Sequence, residues 1–567
     1  MSRVLQPDVN GIANGGENTR SGAPFTSDYG VTKAYLGVAL VALFGGVVIG
    51  FFQGLEHAGI DLYPHLTPVV HSYYQGLSMH GVLNVLVWTT FFICGFLPFI
   101  TARSLARPLA SRQLAWGTFW LMMLGLVMAA IPLVTNNATV MFTFYPPLRA
   151  HWSFYVGLTL VVVGTWLVTL NMARTYRAWR REHPGERTPL PAFMSLVTMV
   201  MWTIASLGIA SEMLFMLIPW SLGLEKGTDA LLARTLFWFT GHPIVYFWLL
   251  PAYISWYVFV PRQAGGRLYS DPLARISFLM FLMVSTPIGF HHQFVDPGIG
   301  EGWKFVHAFL TFVVFLPSLM TFFNIVASLE SGGRARGGGG LIRWLFALPW
   351  GDPSLVAQLL AMFTFTFGGI GGLINASYDL NVLVHNSAWI VGHLHLTVGT
   401  AVTLTYMGIT YWLVPVLWGR KLWSRGLALA QAWIWIVGVA IFSHALHALG
   451  LLGMPRRTMI SQAPYVQPEW KLDLMLTGIG GTVMFVGALL YFLIIVMTMT
   501  ASPRTVPAPA MPKFAEAISG SEDAPPFFDR WPIWISVSAL LLCVAYAVPL
   551  YHLISMAGMH SPGFRVW

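Results

Sequence analysis

The run Val391-Gly392-His393-Leu394-His395-Leu396-Thr397-Val398-Gly399-Thr400 decides what kind of molecule this is. It lies in an apolar stretch long enough to cross a bilayer, for which roughly 20 residues suffice. Two imidazoles sit inside that stretch. Ionisable side chains at membrane depth are costly, and they are rare there unless they are used. Residues two apart on a helix point about 200° apart, at ~100° per residue. One helix can therefore present one imidazole to each of two sites on opposite sides. The plainer reading, two histidines bonded to neighbouring backbone, holds about even odds for a single intramembrane histidine but weakens with the company these two keep.

That company is His80, His242 and the pair His291-His292, each within or at the end of another apolar run. The chain has 567 residues, 56% hydrophobic and 9% charged. A soluble domain carries about 25% charged residues, so the composition is that of a membrane protein. Thirteen candidate spans are expected, centred near residues 45, 85, 124, 163, 207, 246, 281, 315, 364, 400, 439, 486 and 544. The fold class is an all-α polytopic membrane protein, with about thirteen transmembrane helices in one bundle. Residues 1–30 read as a flexible lead, 31–567 as a single transmembrane domain, and about 501–530 as a polar, Pro-rich linker. The Gly-rich stretch 331–340 reads as a flexible basic loop.

The net charge of +9 reads as topology rather than nucleic-acid affinity. Arg103 and Arg107, Arg174 to Arg187, Arg262, Arg267 and Arg275, Arg334 and Arg336, and Arg420 and Arg425 all fall on one side of the alternating spans. Positive segments stay in the cytoplasm, so the N-terminus is expected inside and the C-terminus outside, in a prokaryotic cell membrane. The two cysteines, Cys94 and Cys543, lie in separate apolar runs and cannot form a thiolate metal site, so any such centre must belong to another subunit.

Each remaining motif is modest alone. In Gly241-His242-Pro243-Ile244-Val245-Tyr246 the imidazole and the phenol lie one helical turn apart, although a Pro-kinked helix with a packed Tyr would look the same. His291 and His292 diverge by ~100° on a regular helix but can converge where the backbone is irregular. With His242 they would make a three-imidazole site, which suits copper. His80 precedes Gly81, which would leave room for a flat macrocycle. A haem iron with two His ligands transfers electrons, and one with a single His keeps a position open for a gas.

In this order and spacing, GHPIVY, the His-His pair and Gly-His-Leu-His resemble the catalytic subunit of the haem–copper terminal oxidases, over nearly the whole chain. Phe-Trp-Leu-Leu-Pro-Ala-Tyr, Gly-Phe-His-His-Gln-Phe and Phe-Tyr-Pro-Pro-Leu look like its B-type branch. The resemblance implies His80 and His395 as axial ligands of a low-spin haem b, and His393 as proximal ligand of a high-spin haem of a type. It implies His242, His291 and His292 around the copper called CuB, with Tyr246 joined covalently to His242. Arg456 and Arg457 would pair with haem propionates, and His385 and Asn386 keep the branch pattern nearby. The implied partners are a subunit II with a dinuclear copper (CuA), a cytochrome c or other small metalloprotein donor, and a small accessory single-helix subunit. Dioxygen would be the substrate, with proton pumping coupled to its reduction.

Two departures follow. The main branch has Glu where this chain has Ile244, so protons would follow a single path ending at Tyr246. Tyr253 and Tyr257 continue that helix at +7 and +11, and Ser318 and Thr321 match polar positions of the B-type path. A packed tyrosine stripe is the alternative. The branch also carries an acid near residue 381, where this chain has Asn381, with Asp379 two residues earlier. Glu212 is an intramembrane acid with no assignment. Nitric oxide reductase shares the scaffold but expects added acids and no Tyr246. A quinol oxidase differs in a donor read on another subunit. A secondary transporter with a His relay would not need histidines on both faces of one helix.

Overall fold

The structure is a computed structural model and describes residues 28–67, 69–556 and 560–565. The lead at 1–30 therefore lies almost entirely outside the described residues. Among those described, twelve helices are long and apolar enough to cross a membrane. They are α1 (Tyr29–His57), α2 (Tyr73–Ser104), α3 (Arg112–Val134), α4 (Trp152–Glu182), α5 (Leu190–Ser221) and α6 (Ala230–Gln263). After a shorter α7 (Asp271–Val284) come α8 (Glu301–Ala335), α9 (Pro353–Ala376), α10 (Ala388–Trp418), α11 (Arg425–Leu451), α12 (Pro468–Thr500) and α13 (Trp531–Ser555).

The thirteenth expected span is α7, and it differs from the rest. It has 14 residues, then a turn, then a short 3₁₀ segment at Gly289–Gln293. A helix of that length rises about 21 Å, short of the ~30 Å hydrocarbon core. The shortfall is what provides irregular backbone at His291-His292.

Burial sorts the helices. The apolar window of α10 is wholly buried, that of α2 is 89% buried and that of α6 is 83%, against 22% for α13. The three most enclosed helices carry His393 and His395, His80, and His242. Lipid-facing helices are apolar all round because lipid is their solvent, so their hydrophobicity alone does not rank them.

One sequence expectation is corrected. The 331–340 stretch is not a flexible loop throughout, since α8 continues to Ala335. A Cβ at Gly332 would lie 2.7 Å from the Ala264 carbonyl, and one at Gly333 would lie 2.2 Å from that of Trp344. Here glycine serves close packing. The segment before α13 lies against the bundle: Ala517–Ser519 pairs in parallel with Leu268–Ser270, and Ala515 N–H donates to the Val258 carbonyl at 2.7 Å.

Arg275, read from sequence as a topological charge, is fully buried at the start of α7. It donates to Asp271 at 2.5 Å and to the Thr188 carbonyl at 2.7 Å, with linker residue Asp529 at 3.9 Å. Arg275→Ala would leave the buried Asp271 without its cation, while Asp529 would keep Arg187 at 3.8 Å, a loss of about 3–5 kcal/mol. A marked fall in thermal midpoint of the detergent-solubilised protein is the expected result.

Candidate metal centre

The three predicted copper ligands meet. Ligand atoms of His242, His291 and His292 lie within 4.8 Å of one another. His242 comes from the break in α6 before Pro243, and the other two from the 3₁₀ turn after α7. Nδ1 of His242 is 3.1 Å from Nε2 of His292. Nε2 of His242 is buried with no hydrogen-bond partner among the described residues. The Tyr246 ring centroid is 4.9 Å from that of His242.

Several residues that hold this turn were not legible in sequence. Trp238 stacks on His292 at 3.8 Å, within 3° of parallel. His291 Nδ1 bonds the Ile288 carbonyl at 2.6 Å and lies 3.1 Å from Thr311 Oγ1. Tyr546 Oη accepts from Gly289 N–H at 3.1 Å, and His307 Nδ1 accepts from Phe290 N–H at 3.2 Å. Asn381, where the branch pattern has an acid, donates to the His291 carbonyl at 3.2 Å and the Asn375 carbonyl at 2.7 Å. These contacts come from distant elements and leave no local pattern. Hydrogen-bonded neighbours of this kind orient metal ligands.

One cavity is lined by the three imidazoles, Tyr246, Ser318, His385, Asn386, His393 and Arg456. A Cβ at Gly371 would lie 2.7 Å from His393 Nδ1, so glycine there admits the imidazole. His393 Nδ1 and His385 Nε2 are buried without partners among the described residues. Orphaned buried nitrogens are unusual unless a further group completes them.

On the opposite face of α10, His395 meets His80. Their ring centroids are 6.2 Å apart and their planes within 13° of parallel. Two metal–nitrogen bonds of about 2.0 Å, plus ~1.1 Å from each nitrogen to its ring centre, give about 6.2 Å. Nδ1 of His80 bonds the Gly46 carbonyl at 2.8 Å, and Nδ1 of His395 bonds that of Val391 at 2.8 Å. Each Nε2 is thereby left as the free ligand atom. The space beside His80 comes from Gly46 and Gly50, since Cβ atoms there would meet Asn84 and His80. Gly81 makes no room for a macrocycle: the Phe142 side chain fills that place, 2.9 Å from where its Cβ would lie. The backbone opens into π-helical turns at Val82–Trp88 and at Thr397–Val402, just past the two histidines.

Arg456 and Arg457 follow α11, where Arg456 N–H donates to the Asn386 carbonyl at 2.8 Å. Arg457 donates to Thr143 Oγ1 at 3.2 Å. Burial and the adjacent Arg457 pull Arg456 down to about 10, and burial lowers Arg457 too. No carboxylate forms an ion pair with either among the described residues. Two half-buried guanidinium groups with no carboxylate partner among the described residues call for an anion, and planar carboxylates suit them. Burial, then Arg456, brings His385 down to about 4, so it is neutral.

Below the cavity Tyr253 Oη donates to Ser318 Oγ at 3.2 Å, and Tyr257 Oη to Thr321 Oγ1 at 2.9 Å. The four polar residues of the expected path thus form two cross-helix pairs between α6 and α8.

One helix offering imidazoles to two sites of different geometry, inside a membrane bundle, defines a haem–copper oxidase subunit. The chain belongs to the cytochrome c and quinol oxidase polypeptide I family, whose model matches residues 30–483. It is 46% identical to cytochrome c oxidase subunit 1 of Thermus thermophilus, covering 94% of this chain and 96% of that protein. It is 26% identical to the haem–copper oxidase subunit I+III of Aeropyrum pernix, over 76% of this chain and 53% of that one. A haem–copper terminal oxidase dimer solved by cryo-electron microscopy superposes with a TM-score of 0.90 at 36% identity, covering 95% of each chain.

Proposed function

We propose that this chain is the catalytic subunit of a B-type cytochrome c oxidase, reducing dioxygen to water and pumping protons outward. The observation that carries the reading is the shared cavity, where three clustered imidazoles, a tyrosine and a separate histidine face one another. His242, through Nδ1, with His291 and His292 would hold CuB. His393 would hold the high-spin haem, of a type, and His80 and His395 the low-spin haem b. When bound, these groups would supply oxygen binding and most of the electron storage. Arg456 and Arg457 would neutralise the propionates.

The chain's own work is positioning and proton supply. Tyr246 stands where a hydroxyl proton is needed, and Nε2 of His242, buried and free of other bonds, is the atom available for a covalent link to it. Tyr253 with Ser318 and Tyr257 with Thr321 would pass protons from the cytoplasmic side, with water completing the chain. Electrons would come from a cytochrome c, or another small metalloprotein, through the CuA of subunit II. The accessory single-helix subunit and the orientation, N-terminus in and C-terminus out, belong to the same reading.

Purification of the intact complex tests it. A reduced-minus-oxidised spectrum should show two haems, extraction should return b- and a-type haem, and reduced cytochrome c should drive oxygen uptake. Uptake driven by quinol alone would favour a quinol oxidase, and absence of haem bands would overturn the reading. His291→Ala or His292→Ala should strip copper by at least the roughly 10–100-fold known for weakened metal sites, while sparing the low-spin haem. Full copper occupancy in both variants would remove these residues from the ligand set.

A further inference from the structure

Glu212 has no part in the scheme above. It lies in α5, fully buried, with both carboxyl oxygens lacking a hydrogen-bond partner among the described residues. An acid at this depth is expensive, and such residues mark proton relays more often than packing. Three observations place it beside the cavity's machinery.

First, α5 is fastened to α6 next to a proposed copper ligand. Ile209 N–H donates to Thr240 Oγ1 at 2.8 Å, and Thr240 Oγ1 donates to the Ala205 carbonyl at 2.7 Å. A Cβ at Gly208 would lie 2.5 Å from the Phe239 ring, so the two helices touch one turn before Glu212. Second, the backbone opens into a π-helical turn at Met213–Leu217, directly after Glu212. The same device follows His80 and His395. Such turns are uncommon and gather at functional sites.

Third, Tyr145 packs on Phe237 at 5.1 Å, two residues before the helix contact at Phe239. Its hydroxyl is also buried without a partner among the described residues. Arg234 lies over its ring at 5.1 Å, and the ring is 6.3 Å from Trp238, which stacks on His292. Tyr145 is within electrostatic reach of Arg234, Arg456, Arg457 and Glu212 together. Tyr155 also faces Glu212, its hydroxyl accepting from Ala150 N–H at 3.0 Å, with Arg149 nearby. Two carboxyl oxygens and a phenol, buried and unpartnered, are the kind of groups that ordered water satisfies.

We propose that Glu212 is a proton-holding group on the arginine side of the cavity, exchanging one proton through Tyr145 and water in step with charge at the Arg456–Arg457 pair. The step moves a proton and no electron. When a proton enters the cavity beside the arginine pair, the acid gives its own proton to water on the outer side. A proton from the cavity side then restores the acid. This inference rests on the reading of the chain as a proton-translocating oxidase.

The test uses the whole complex in sealed vesicles. Glu212→Gln should keep most oxygen consumption, while protons pumped per electron fall by about half or more, as for loss of a relay acid. Redox infrared difference spectra of the wild type should show a protonated-carboxyl stretch that shifts in heavy water, is missing in E212Q and moves in E212D. Wild-type pumping by E212Q would overturn the proposal. If E212Q fails to assemble, E212D decides, and carboxyl bands identical to wild type would refute a titrating Glu212. A wild-type complex without oxygen reduction would refute the functional reading instead, and the carboxyl band would still judge this one.

Discussion

Tyr246→Phe should retain both haems and the copper yet lose nearly all oxygen reduction. The phenol ring packs one turn from His242 and stacks near Phe281 at 5.3 Å, so phenylalanine fills the same space. Its hydroxyl is not a metal ligand in the proposed set, and metal content should not change. What disappears is the proton, and the electron that accompanies it, at the point where the O–O bond breaks. A positioned proton donor contributes about 10²–10⁴-fold, and turnover should fall by that order. Tyr257→Phe is the matched control. It removes one hydroxyl from a pair whose partner Thr321 remains, so a water can stand in and turnover should fall only several-fold. The intact protein should also yield a cross-linked peptide containing His242 and Tyr246. Near-normal oxygen uptake by Tyr246→Phe would refute the mechanism and favour a reductase on the same scaffold.

His80→Ala and His395→Ala should each abolish the low-spin haem spectrum and stop electron entry. The two rings oppose each other across 6.2 Å, and each has Nδ1 on a backbone carbonyl, with Asn84 Nδ2 also 3.2 Å from that of His80. Loss of either imidazole would remove one of the two side chains proposed to hold the haem. The effects should be equal, because the two sites have the same donor and the same orienting bond. Copper should be spared, since neither residue lines the cavity that holds His242, His291 and His292. A normal low-spin signal in His80→Ala would break the assignment.

The six histidines could be found without a structure because lipid makes them conspicuous. In water, a buried histidine is one of many; in hydrocarbon, it must be partnered or used. The two-residue spacing of His393 and His395 predicted two sites on opposite faces, and the structure places His80 on one side and the shared cavity on the other. Tyr253 and Tyr257 were predicted by the period of one helix, while their partners Ser318 and Thr321 came from the family resemblance. The resemblance also brought in Arg456 and Arg457, which alone would read as an exposed basic loop. Burial without a counter-ion is what distinguishes them.

From sequence alone came the membrane class, the spans, their order and the residue types that could hold metal. Those properties are local: about 20 apolar residues must close their own backbone hydrogen bonds in lipid, and they do so as a helix. Only the tertiary structure decided which imidazoles converge, that α7 stops short so that His291 and His292 can turn toward His242, and that Phe142 occupies the space beside Gly81. It also showed that Gly332 and Gly333 pack a helix, that Arg275 is buried, and that Glu212 is buried without a partner among the described residues just before a π-helical turn. Each of these is a contact between segments far apart in the chain, set by how side chains fill a shared interior, and helical periodicity carries no record of such contacts.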